Sequence, residues 1–127
     1  MAGTIGTATV ASWSGPGNAT YRSYRMTWTS DGSGDVSATA VPIVSGLLRS
    51  VTVIPVTSGG TQPDNLFDVT LLDVDALDLL GGGGANCVNT GPTMIDMGVV
   101  FPGGNVYPTV ANAGAANVGE IVIVVEN

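Results

Sequence analysis

Apolar and polar residues alternate in short runs along this chain, and clusters of Gly, Pro, Asn and Asp cut the runs apart. A period of two marks half-buried strand, and the 3.6-residue period of amphipathic helix is scarce here. The run Thr4 to Ser12 predicts a first strand, closed by Ser14-Gly15-Pro16-Gly17-Asn18, where two glycines and a proline forbid continuation. A second strand starts near Tyr21. Within it Tyr24, Met26 and Trp28 share one face and Arg25, Thr27 and Thr29 the other, so the aromatic face is predicted to be core. Ser30 to Asp35 holds residues that tolerate positive φ and predicts a turn. The alternation of Val36, Ala38 and Ala40 with Ser37, Thr39 and Val41 then reads as the returning strand of a β-hairpin, ended by Pro42.

Leu47 to Val56 is the strongest strand candidate, with Val51, Val53 and Ile54 for bulk. A polar loop, 57–65, separates it from Phe67-Asp68-Val69-Thr70-Leu71-Leu72. Asp73 to Ala76 reads as a turn into a return run Leu77 to Leu80, and Gly81 to Gly84 as a flexible or tightly threaded loop. From Asn89 to Val118 the sequence is rich in Gly, Asn, Pro and Ala, and predicts long loops with short strands around Val99-Val100-Phe101 and Val106-Tyr107. The closing run Ile121 to Val125 is apolar on both faces, which predicts a strand central in a sheet or covered by another subunit. Both ends of the chain are expected to be held in place.

The expected fold is all-β: an antiparallel β sandwich or barrel with long Gly/Pro/Asn-rich loops. A length of 127 residues suits one hydrophobic core, so residues 1–127 are expected to form a single domain. Only 10% of residues are charged while 44% are apolar, against about 25% charged in an ordinary soluble domain. Such a surface suits a protein that lies against copies of itself or a large partner. Ten acidic residues stand against three arginines, Arg22, Arg25 and Arg49, with a net charge of −7. That balance argues against direct contact with nucleic acid, whose phosphates require a basic stripe.

No residue set is assigned to catalysis, to a cofactor or to a metal. The chain has no histidine to activate its one cysteine, Cys87, which is read as a small, half-buried loop residue. Asp68, Asp73, Asp75 and Asp78 have the close spacing of hard-cation ligands, but the Gly and terminal Glu of a calcium loop are missing. Aspartates that bond their own turn amides explain them better, and nothing in the spacing suggests the paired carboxylates of a glycoside hydrolase. The glycine run lacks the lysine and helix of a phosphate loop. Asn18-Ala19-Thr20 matches the glycosylation acceptor pattern, a match expected to be chance because no secretory signal is expected for this chain. With no apolar span either, the expected setting is a cytoplasm at synthesis and no membrane. Trp13, Tyr21, Tyr24, Trp28 and Tyr107 are candidates for stacking on sugars; alternation assigns Tyr24 and Trp28 to the core and leaves Trp13 and Tyr21 as interface anchors.

The segment Val51-Thr52-Val53-Ile54-Pro55-Val56 through Pro63, then Leu66-Phe67-Asp68-Val69-Thr70-Leu71-Leu72-Asp73-Val74-Asp75, then Asp78-Leu79-Leu80 with the glycines and Ala85-Asn86, resembles a stretch of small virion structural proteins of tailed phages. One departure is Ala76, where the resemblance predicts glycine. The resemblance implies a protein similar to capsid decoration (cement) proteins. Such a protein would be a homo-oligomer, a trimer by preference, made in the host cytoplasm and bound to the major capsid protein on the outside of the virion. A tail, neck or head-fibre component, or a carbohydrate- or receptor-binding β module, is the alternative.

Overall fold

In a computed structural model that describes residues 3–57 and 59–127, nine strands and one short 3-10 turn, Pro16–Asn18, account for the regular structure. The strands are β1 (Thr4–Ile5), β2 (Thr9–Ser14), β3 (Thr20–Thr29), β4 (Val41–Ile43), β5 (Gly46–Pro55), β6 (Asp68–Leu72), β7 (Thr93–Phe101), β8 (Gly104–Ala111) and β9 (Val118–Glu126). The larger sheet runs β1-β3-β9-β5-β7, with β2 also on β3, and the smaller runs β4-β8-β6. Every ladder is antiparallel, and the two sheets pack as a sandwich, the all-β architecture expected.

The alternation of β3 resolves as read: Tyr24, Met26 and Trp28 are buried and their neighbours look outward. Opposite them β9 contributes Ile121, Ile123 and Val125, all fully buried, from the centre of the sheet between β3 and β5. From the small sheet Val69, Leu71, Val106 and Val110 close the core, and Trp28 meets Phe67 in a tilted pair with centroids 5.8 Å apart. Trp28 pairs across the ladder with Gly119 and lies over it, so the strand position that lacks a side chain is the one the indole fills. The carboxyl end is tied down, since Asn127 and Thr20 exchange two backbone hydrogen bonds. Met1 and Ala2 lie outside the described residues, and with them the expectation that the amino end is held.

Several elements differ from the sequence reading, mostly for one reason. From β3 onward each successive strand belongs to the other sheet, so consecutive strands do not pair. The hairpin expected after Asp35 is therefore absent: Val36 makes a single bridge to Val110, 37–40 is irregular, and Pro42 sits inside β4 on an open edge rather than ending a strand. The return run Leu77 to Leu80 is likewise a bridge, Leu72 to Asp78, followed by turns. The stretch 89–118 holds two long strands, β7 and β8, instead of loops. The first strand is split, because Ile5 pairs with Trp28 and Thr9 with Arg25, so Gly6 to Ala8 face only Met26 and Thr27 in a bulge.

Candidate functional site

The aspartates are spent on the backbone. Asp73 Oδ1 accepts the amides of Asp75 (2.8 Å) and Leu77 (2.9 Å). Asp78 accepts those of Leu71 and Leu80 on Oδ1 and Gly82 on Oδ2, each at 3.1 Å. Asp68 takes the Asn86 amide on one oxygen (2.8 Å) and the Asn112 side-chain amide on the other (2.7 Å). Three of the four carboxylates thus hold the path from β6 through the glycine run, and no cluster of three or more His, Cys, Asp or Glu suited to a metal occurs among the described residues. Asp31 does the same for its own turn: amides of Asp35 and Ser33 bond its Oδ1 and lower its pKa below the ordinary 3.8. Ala76 takes φ +62°, the left-handed conformation that glycine would adopt without strain, so the turn keeps its shape despite the departure noted above.

Cys87 is buried rather than half-buried, bridged to Phe67, with its thiol donating to the Gly84 carbonyl at 3.2 Å. Burial first, and the Asp68 charge second, push its pKa up, which keeps it a thiol. The glycine run is threaded tightly at one point, because any Cβ on Gly84 would collide with the Val69 carbonyl of β6.

Trp13 and Tyr21 are directly opposite on β2 and β3, and their rings stack at 5.6 Å with an interplanar angle of 13°. Tyr21 also lies on Gly15, where a side chain would collide with the ring, so the hairpin end is built around this pair. Trp13 remains 45% exposed. Tyr107 is half-buried and lines a recess of about 420 Å³ with Asp73, Asp75 and Asn105.

The outer face of the big sheet is the remaining candidate surface. One row across it follows from the pairings: Trp13, Tyr21, Glu126, Leu47 and Val100. A second runs Thr9, Arg25, Val122, Thr52 and Met94. Val100 is 83% and Met94 66% exposed, large values for such side chains. Charges on this face largely cancel, with Arg25 bonding Glu120 at 2.6 Å and Arg49 near Glu126 at 3.5 Å. β9 lies centrally in the sheet between β3 and β5, one of the two placements its apolar run predicted; Ile121, Ile123 and Val125 are covered by the core, while Val122 and Val124 on the outer side are partly buried. That row was invisible in sequence, since it depends on which strands are neighbours. Comparison of the chain with protein-family models, with curated proteins and with solved structures finds no match.

Proposed function

We propose that this chain is a non-catalytic structural subunit of a virion, a homo-oligomeric decoration protein that sits on the capsid exterior and stabilises the shell by contacting the major capsid protein. The observation that carries this reading is the outer face of the large sheet, a broad surface of apolar and hydroxyl side chains whose charges are mostly neutralised in pairs, on a molecule of net charge −7. A face of that kind, apolar and hydroxyl-bearing apart from its few charges, suits lasting contact with protein. The likeness of 51–86 to phage virion proteins supplies the setting. Carboxylates that bond backbone amides, and a buried thiol, are support for structure over chemistry. Particles assembled with and without the protein test the reading: loss of heat resistance in its absence is expected, and equal resistance would count against it.

The Trp13–Tyr21 stack favours a second reading, a carbohydrate- or receptor-binding module, because a rigid, half-exposed ring offers a plane to a sugar. Glycan binding abolished by Trp13→Ala would select it over the first.

A further inference from the structure

The edge of the large sheet at β2 differs from the rest of the molecule. All six residues of β2, Thr9 to Ser14, are exposed, and among the described residues its only partner strand is β3. Natural edges are usually guarded by charge, proline or a covering loop; β2 has no charge and no proline, and only the bulge before it. The hydrogen-bonding phase of this edge can be read off its ends. The Gly15 amide bonds the Ala19 carbonyl, while Thr20 exchanges its bonds with Asn127 on the other side of β3. Alternation along an antiparallel pair then sets Thr9, Ala11 and Trp13 to bond β3, and turns the N–H and C=O groups of Val10, Ser12 and Ser14 to the free edge.

The geometry points to pairing of this edge with the β2 edge of a second copy of the chain, antiparallel and centred on Ser12. A two-fold axis normal to the sheet requires residues of like face to meet, and only Val10, Ser12 and Ser14 can exchange bonds. Centred on Ser12, the pairing matches Ser12 with its counterpart and Val10 with Ser14 of the other copy. It also sets the indole of Trp13 beside the small Ala11 of its mate on the outer face, a large side chain against a small one at the close, non-hydrogen-bonded positions. Val10, 52% exposed alone, becomes covered near the mouth of the apolar slot of about 300 Å³ between β2 and β4.

Charge selects the second copy as occupant. None of the ten acidic residues precedes Asp31, and two of the three arginines, Arg22 and Arg25, lie on β3 beside β2. For a molecule of net charge −7, apposing two β2 edges keeps acidic groups out of the seam, since the nearest, Glu120 and Glu126, lie two strands in on β9 against Arg25 and Arg49. Strand pairing of this length is small beside the roughly 1,200–2,000 Å² of stable interfaces, so the dimer is a concentration-dependent one.

Sedimentation velocity of the full chain over a wide concentration range tests this, with Ser12→Asp and Ser12→Lys as variants whose side chains are exposed and spare the β3 ladder. The expected result is a reversible dimer of the 12.7 kDa chain, lost in either variant alone through like charges across the axis, and recovered when the two variants are mixed. A monomer at every concentration overturns the proposal, and leaves the edge to a strand of another protein. A dimer or a trimer indifferent to charge at Ser12 overturns it too. The capsid reading is measured separately on particles, so either can fail without the other.

Discussion

Gly119→Ala should be among the most costly single-methyl additions in this protein. A Cβ there would stand 2.5 Å from Cζ2, 2.7 Å from Cε2 and 3.0 Å from Nε1 of Trp28. Ordinary carbon contacts need about 3.5 Å or more, so the indole must retreat by roughly an ångström. It has nowhere to go, being fully buried and tilted against Phe67. Overpacking of this kind costs about 1–3 kcal/mol, from which about 0.5–1 kcal/mol is recovered because alanine is stiffer than glycine in the unfolded chain. The net expectation is a loss of about 1–2 kcal/mol, a drop in Tm of roughly 3–12 °C for a domain of this size.

Urea unfolding followed by far-UV circular dichroism measures the loss. Gly98→Ala is the control, since a Cβ at Gly98 on β7 meets nothing within 4 Å; it should be neutral or slightly stabilising. Trp28→Phe in the Gly119→Ala background supplies the decisive arm. The smaller ring vacates the space the new methyl needs, so the two costs should add to less than their sum. Trp28 Nε1–H has no hydrogen-bond partner among the described residues, so phenylalanine also removes a buried unsatisfied donor. A Gly119→Ala protein as stable as the parent, or two strictly additive costs, would refute the account of β9 as a strand with a slot cut for the indole.

Other expectations follow from single side chains. Asp78→Ala should cost about 1–3 kcal/mol by stripping three amides of their acceptor, and Asp75→Asn, whose carboxylate accepts no hydrogen bond among the described residues, should be silent in the same melts. Ala76→Gly should stabilise by up to about 1–2 kcal/mol, since it relieves a left-handed alanine; a loss would mean that the turn is unstrained. Because the folded pKa of Asp31 lies below 3.8, its turn contributes stability above that value and loses it as pH falls through the folded pKa; Asp31→Asn should flatten that acid limb of Tm against pH. Cys87 should resist a water-soluble disulfide reagent in the native protein at neutral pH and react promptly in denaturant, and fast native labelling would contradict its buried place beneath Gly84.

What could be read from sequence divides along a physical line. β3 and β9 were legible because alternation and an unbroken apolar run are local signals, and burial of Tyr24, Trp28 and Ile123 follows from them directly. β8 was hidden by Pro108, which reads as a strand breaker. Val110 exchanges both bonds with Val36, and β4 pairs only with 104–106, so the donor that proline lacks would have faced 37–40, where no ladder exists. Pro108 does not break the strand; it sits where the neighbouring strand is already broken. The hairpin misread after Asp35 fails for a non-local reason, since the chain changes sheet at every connection after β3, and nothing in a turn's composition tells whether the next strand pairs or crosses; the return after Asp75 does reach β6 but is cut to a single bridge. The same limit conceals the outer face. Nothing in the sequence links Trp13, half-buried Leu47 and exposed Val100, and only the register through Tyr21 and Glu126 lines them up. A surface built from five strands in an order unlike that of the sequence is thus a property of topology, which is why the residues proposed here for contact carry no motif.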